Sequence, residues 1–254
     1  MPEPDCPEDR AVAVSWATGF ETQARNFARE HTLPIINELP DWRGLCFCLG
    51  SNGWALKDLS GEMLTPFSLQ FEARYVSQGK DPLVNAMGKA RTVLDLTAGW
   101  GADALHIALS GRRVVSVERN PVVYQLLKQA RNQLGGRDLA ERLEFVHLDA
   151  AREDFAQQLT QILNSEVDFD LVYLDPMFAD KSLKRARAKK PMRLMQRLTD
   201  APSDDNEQFL FKNALAIAQK RVVVKRSLKA PYITQKKPQG SIKSKLLRFD
   251  LYQP

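Results

Sequence analysis

Thr92–Asp103, TVLDLTAGWGAD, restricts the architecture of this 254-residue chain more than any other stretch. Val93, Leu94 and Leu96 form an apolar run around Asp95. Gly99 and Gly101 follow in a turn, and Ala104–Leu109 has the composition of a helix. A buried strand, a glycine turn and a helix in that order open a nucleotide-binding α/β domain, because residues without a Cβ let the backbone turn sharply and approach a ligand. Arg113–Glu118 (RVVSVE) then reads as a second buried strand ending in an acid, 17 positions past Gly101. One carboxylate there can accept hydrogen bonds from both hydroxyls of a ribose. A ribose-bearing cofactor is therefore expected across the strand ends.

The alternation continues toward the C-terminus. Pro82–Gly88 reads as a lead-in helix, and strands are expected at Thr92–Leu96, Arg113–Val117, Leu143–His147, Asp170–Leu174 and Arg221–Lys225. Between them lie helical stretches at Asp103–Leu109, Pro121–Leu134, Glu153–Leu163 and Glu207–Gln219. Strands alternating with helices are the mark of an α/β fold with a parallel sheet and crossover helices. Tyr232–Tyr252 can supply a terminal hairpin, with Leu246–Tyr252 its better strand. Upstream, Glu21–His31 reads as a short helix, Gly44–Leu59 as a hairpin about a Ser-Asn-Gly turn, and Met63–Tyr75 as another strand. Residues 1–80 are expected to form a small α+β domain with Met1–Arg10 as a loose acidic tail, and residues 81–254 the cofactor domain.

Composition removes several function classes. No apolar run approaches the roughly 18 residues of a membrane span, and Met1–Arg10 lacks the basic-then-apolar pattern of a signal peptide. Cys6, Cys46 and Cys48 have no zinc-like spacing, so no metal is expected; Cys46 and Cys48 on one strand face suit a reducing cytosol. The net charge of +5 is modest, but Gln208–Phe249 holds eleven Lys and Arg and no acid. Such a one-sided stretch favours a polyanionic partner.

Three acids, Glu118, Asp149 and Asp175, end successive expected strands, the edge at which open α/β sheets bind ligands. A helix cap or a solvated loop would account for any one of them, but not readily for three in register. Glu118 suits a ribose and Asp149 an adenine amino group, while Asp175 would stand beside the reacting centre. Gly99-Trp100-Gly101-Ala102-Asp103-Ala104 satisfies G-x-G-x-x-A and could hold a dinucleotide pyrophosphate. Asp103 argues otherwise: it would repel a dianion and attract the ammonium and sulfonium of S-adenosylmethionine.

Asp175-Pro176-Met177-Phe178 occupies the place where amino-group methyltransferases carry (Asp/Asn/Ser)-Pro-Pro-(aromatic). An aromatic exocyclic amine is a poor nucleophile because its lone pair is delocalised into the ring. The Asp175 carboxylate and the Pro176 carbonyl can hold its two N–H groups and aim the lone pair, while Phe178 offers a face for an extruded base. Lys181–Arg197 follows with eight cations and no acid. Within it Lys181, Lys184, Arg185, Arg187, Lys189, Lys190 and Arg193 are candidate contacts for a phosphate backbone, although a solvated charged helix would look the same.

The chain resembles the ribosomal RNA small-subunit methyltransferase J family. The resemblance rests on LDLTAGWGADA (94–104), VERNPVV (117–123), VYLDPMF (172–178), KKPMR (189–193), KRVVVKR (220–226) and RFDLY (248–252). It implies a class I, Rossmann-like methyltransferase with a mostly parallel seven-stranded sheet and helices on both faces. It further implies S-adenosylmethionine as cofactor and methylation of a guanosine 2-amino group in 16S rRNA, in the bacterial cytoplasm. The family's cofactor contacts fall on Ala102, Asp103, Glu118, Arg119, Asp149, Ala150 and Asp175; the turn itself adds Asp95, Gly99 and Gly101 as candidate cofactor residues. Three places depart from the family pattern. Gly-Ala-Asp replaces Gly-Arg-Asp, Ala179-Asp180 follows DPMF in place of Pro-His, and Arg74–Asp81 replaces a glycine- and arginine-rich segment. Methylation of DNA or of a protein amide, a nicotinamide-dependent oxidoreductase and a catalytically silent RNA-binding protein remain the competing readings.

Overall fold

Two sheets account for nearly all the strands in the computed structural model, which describes residues 12–36, 42–60, 66–71, 81–134, 137–165, 167–176, 190–199 and 204–254. The expected acidic tail lies outside the described residues. The chain divides into two compact units.

The first unit comprises Met1–Gln70 with Asn120–Ala130 and Asp180–Asp200. Its sheet has the order β1 (Val12–Trp16), β2 (Leu45–Gly50), β3 (Gly53–Asp58). The hairpin β2–β3 matches the expected Gly44–Leu59, with Gly50 paired to Gly53 across the turn. Strand β1 was not legible beforehand. It runs parallel to β2, which requires a crossover, and α1 (Glu21–Glu30) provides it. Phe27 of α1, Phe47 and Trp54 cluster over the sheet, the last two stacked at 4.3 Å. Of the expected strand over Met63–Tyr75 only residues 66–71 are described, and among them Phe67 bridges β3 through paired hydrogen bonds with Leu56 of 2.8 and 2.7 Å. Pro66 has no N–H to continue that pairing.

Two later segments attach through side chains. Gln129, on α4 (Pro121–Asn132), accepts from Trp54 N at 2.7 Å and donates to Trp54 O at 3.1 Å. Arg197, on α7 (Lys190–Leu198), pairs at 2.8 Å with Asp58, whose side chain is fully buried. Burial alone would raise the Asp58 carboxyl, but Ser60 and Arg197 outweigh it and hold it below the usual range. Asn120 Nδ2 also donates to Leu198 O at 2.7 Å, tying the start of α4 to the end of α7.

The second unit comprises Phe71–Arg119, Arg131–Ala179 and Ala201–Pro254. Its elements are α2 (Pro82–Met87), β4 (Thr92–Asp95), α3 (Ala102–Leu109), β5 (Arg113–Glu118), α5 (Arg137–Arg142), β6 (Leu143–His147), α6 (Phe155–Leu163), β7 (Phe169–Leu174), α8 (Asp204–Ile217), β8 (Ala218–Ser227), β9 (Gly240–Lys243) and β10 (Leu247–Tyr252). Helix α5 was not expected. The sheet order is β6-β5-β4-β7-β8-β10-β9. Strands β4 to β8 are parallel, and β10 is antiparallel between β8 and β9. Order reverses between β4 and β7, the topological switch point at which such sheets bind ligands.

Period-two alternation assigns the faces. Leu94, Val115, Val117, Val146, Val172, Leu174, Val222 and Val224 pack with Phe155 and Leu159 of α6 and with Phe211, Ala214 and Ile217 of α8. The alternate residues Asp95, Ser116, Tyr173 and Lys225 therefore point to the opposite face. Helix α2 starts on Asp81, whose Oδ1 accepts from Leu83 N and Val84 N at 2.8 and 3.2 Å, while His106 Nε2 meets its Oδ2 at 2.6 Å. Among the described residues no helix is long and apolar enough to cross a membrane.

Gly53 carries the turn of the first unit at φ +85°, and a Cβ placed on it would lie 2.3 Å from Gln129 Oε1. Gly53→Ala should cost about 2–3 kcal/mol, combining the left-handed backbone penalty with loss of the Gln129–Trp54 bonds. A urea midpoint within error of wild type would contradict this account of the turn.

Candidate active site

The glycine turn leaves β4 at Asp95, which is 1% exposed. Asp95 Oδ1 accepts from Thr97 N at 2.9 Å and Thr97 Oγ1 at 3.2 Å, and Oδ2 accepts from Ser116 Oγ on β5 at 2.7 Å. Burial pushes the Asp95 carboxyl up to about 7 against these hydrogen bonds. Thr97 Oγ1 also accepts from Asp175 N at 2.7 Å, so the turn and the end of β7 share one hydroxyl. Gly99 and Gly101 adopt φ of +52° and +72°, and Gly101 precedes α3 in the left-handed conformation. Gly99 N donates to Glu118 Oε2 at 3.0 Å, drawing the tip of β5 against the turn.

Lys225 closes the arrangement. Its Nζ lies 2.7 Å from Asp103 Oδ2 on α3 and 2.8 Å from Asp175 Oδ2 beyond β7. Tyr173 OH donates to the same Asp103 oxygen at 2.6 Å. Burial raises the Asp175 carboxyl above the usual range; the Lys225 ammonium opposes this, and the Asp103 carboxylate adds to it. Burial would lower Lys225, but Asp175 and Asp103 prevail and hold it protonated well above its ordinary value. Burial and Asp103 likewise push the Tyr173 phenol far up, which keeps it a donor. Two carboxylates against one ammonium leave this edge with a net negative charge suited to a cationic ligand.

Comparison with known proteins decides the family. Residues 68–254 match the model described as "Putative SAM-dependent methyltransferase". The ribosomal RNA small subunit methyltransferase J of Pseudoalteromonas atlantica is 37% identical over 223 residues, 78% of this chain and 81% of that protein. The chain belongs to the methyltransferase J family. The protein of the same name from Hydrogenovibrio crunogenus is 39% identical over 175 residues, 67% of this chain, and the match spans 61% of that relative's length. The crystal structure of a SAM-dependent methyltransferase from Neisseria gonorrhoeae superposes with a TM-score of 0.69 at 24% identity, covering 95% of this chain and 96% of that one. The fold is thus the class I methyltransferase fold expected from the motifs.

The structure brings the expected cofactor residues of this family member to one sheet edge in different ways. Gly99, Gly101, Ala102 and Asp103 form the turn and the start of α3, and Glu118 and Arg119 end β5. Asp149 and Ala150 follow β6, where Asp149 Oδ1 accepts from Ala151 N at 3.0 Å and Asn213 Nδ2 donates to Ala150 O at 2.8 Å. Asp95 sits beneath the turn with its oxygens engaged by Thr97 and Ser116, so it supports the turn from inside. Asp175 and Pro176 are described; Phe178, Lys181, Lys184, Arg185, Arg187 and Lys189 lie outside the described residues. Lys190 and Arg193 lie on α7 of the first unit. Lys225, Tyr173 and Thr97 were missed by sequence reasoning. A cation directly after the apolar run Val222–Val224, at the place where an acid ends neighbouring strands, was the available signal.

Asp95 titrates with the fold. Its carboxyl is raised to about 7 when folded, against 3.8 ordinarily, so between those values the folded state holds one proton more than the unfolded state. Its contribution to stability therefore falls as pH rises through that window. Asp95→Asn, neutral throughout, should gain on wild type between about pH 4 and 7 by on the order of a few kcal/mol. Urea midpoints across pH check this, and a pH-independent difference would contradict it.

Proposed function

We propose that this protein transfers a methyl group from S-adenosylmethionine to the exocyclic 2-amino group of a guanosine in small-subunit ribosomal RNA, in the bacterial cytoplasm. The observation that carries the reading is Asp175, at the tip of β7, held by Lys225 on the same edge as the turn acids. The donor set fits the cofactor. Glu118 suits its ribose, the Gly99–Asp103 turn its amino-acid end, and Asp149 with Ala150 its adenine. When bound, S-adenosylmethionine supplies an electrophilic methyl on a positively charged sulfur.

The chain's own residues supply orientation. Asp175, fixed through its backbone by Thr97 and through Oδ2 by Lys225, presents Oδ1 to one amine hydrogen, and the Pro176 carbonyl takes the other. Phe178 provides a face against which the extruded base stacks. The Lys225 ammonium favours the charged form of Asp175, while burial and Asp103 raise its carboxyl and so make it a stronger acceptor for the proton the amine must lose. Rate comes from positioning and electrostatics more than from a strong base. The cations of Lys181–Arg193 serve the RNA backbone. The nicotinamide reading is disfavoured by Asp103, an acid in the first turn of α3, where a pyrophosphate would have to sit.

Purified protein with labelled S-adenosylmethionine should label 30S subunits or 16S rRNA, and digestion should yield N2-methylguanosine. Label on protein or DNA alone would contradict the reading. Asp175→Ala should lower turnover by at least about 100-fold through loss of a positioned acceptor. Undiminished turnover would show that this carboxylate does not hold the amine.

A further inference from the structure

Arg248 is 6% exposed on β10, and both of its Nη groups donate to a single loop. Its Nε bonds both oxygens of Asp250 at 3.0 Å, which balances its charge. Nη1 donates to the carbonyls of Ser227 and Leu228 at 3.0 and 2.7 Å, and Nη2 to those of Ala230 and Pro231 at 2.8 and 3.4 Å. The guanidinium also lies 5.0 Å from the centre of the Tyr232 ring. Residues 227–232 are thus fastened from beneath by one buried cation that has five N–H donors. Leu228 N donates to Leu246 O at 3.2 Å, joining this loop to the β9–β10 turn. That turn is closed in its own right by Ser244 N on Leu247 O at 2.8 Å and Leu247 N on Ser244 Oγ at 3.1 Å.

What this scaffold presents outward is unusual for a rigid surface. Leu228 and Tyr232 are each 39% exposed and Leu246 is 78% exposed, interleaved with exposed Lys229, Lys243 and Lys245. No acid occurs between Gln208 and Phe249. Strand register places the surface: Val224 pairs with Leu174, so Lys225 stands beside Asp175, and Ser227 lies two residues further out, roughly 7 Å. The antiparallel pairing of Leu247 with Ser227 brings the β9–β10 turn to the same rim. Cations alternating with apolar and aromatic side chains are what single-stranded nucleic acid needs, since phosphates meet the charges and base faces meet the rings and apolar groups. The charge imbalance favours a polyanion over a protein partner.

We propose that loop 227–232 and the β9–β10 turn form a preformed docking lip for single-stranded RNA flanking the target nucleotide. Lys229, Lys243 and Lys245 meet phosphates, and Tyr232 and Leu246 meet bases. This rests on the RNA methyltransferase reading above and names the surface that receives the strand beside Asp175. The lip needs no ordering on binding, so little affinity is lost to loop entropy.

Binding of a short labelled single-stranded RNA, measured across salt concentration, tests the lip without relying on turnover. The Lys229→Glu, Lys243→Glu, Lys245→Glu triple variant should bind at least about tenfold more weakly, with a log–log salt slope shallower by about 2, the release expected for three phosphate contacts on a single strand. Tyr232→Ala with Leu246→Ala should weaken binding about tenfold at an unchanged slope, because stacking carries no counterion release. Both variants should bind S-adenosylhomocysteine as wild type does and methylate 30S subunits with a raised KM and a kcat within about twofold. The milder Lys→Gln triple variant gives the same test if charge reversal disturbs folding. RNA affinity and salt slope equal to wild type in these variants would overturn the lip. So would wild-type affinity for naked RNA with weakened binding to 30S subunits, which would assign the surface to a ribosomal protein. A wild-type protein that binds this RNA through the lip but never methylates RNA would instead overturn the function while leaving the surface standing.

Discussion

The ammonium of Lys225 holds two carboxylates from different elements, Asp103 at the start of α3 and Asp175 past the end of β7, at 2.7 and 2.8 Å. Neither acid could sit at this half-buried edge beside the other without it, because like charges at such separations repel strongly in a low dielectric. Removing Lys225 would leave the two carboxylates facing each other without a counter-ion. The contact therefore couples the start of α3 after the glycine turn, the end of β7 and strand β8. Tyr173, donating to the same Asp103 oxygen at 2.6 Å, fixes the carboxylate's orientation from the sheet face below.

A second connection runs inside the first. Asp95 accepts from Thr97, and the Thr97 hydroxyl accepts from the backbone N–H of Asp175. The turn that would hold the cofactor and the residue that would hold the nucleophile thus share one short hydrogen-bonded path, which limits their relative movement. Positioning of that kind is what a weakly nucleophilic amine requires. The net negative charge left at the edge complements a cationic donor, and Arg248 organises a basic, partly apolar rim further out on the same sheet. Charge is thus graded along the edge, acidic at the strand tips and cationic at the rim.

Much of this was legible in the chain before its structure. The glycine turn, the acids ending three strands and the apolar runs of β4 to β8 follow from local patterns, since a strand buried on both faces must be apolar and a sharp turn needs a residue tolerant of positive φ. Strand β1 was not legible because its pairing with β2 is parallel and distant, and in the described part of Met63–Tyr75 the pairing stops at the Phe67 bridge because Pro66 has no N–H to extend it. Lys225 was read only as part of a basic stretch. Its role depends on the register Leu174↔Val224, a long-range pairing that no local pattern specifies. Asp95 was expected among the cofactor contacts together with the glycine turn that follows it. Its neighbours Thr97 and Ser116 turn it inward.

The most direct test of the account is a crystal structure of the protein with S-adenosylhomocysteine. The ribose hydroxyls should lie within hydrogen-bond distance of the Glu118 carboxylate, the amino-acid portion against Gly99–Asp103, and the sulfur facing Asp175. A ligand bound elsewhere, or an Asp175 carboxylate turned away from the sulfur with Lys225 no longer between the two acids, would contradict it.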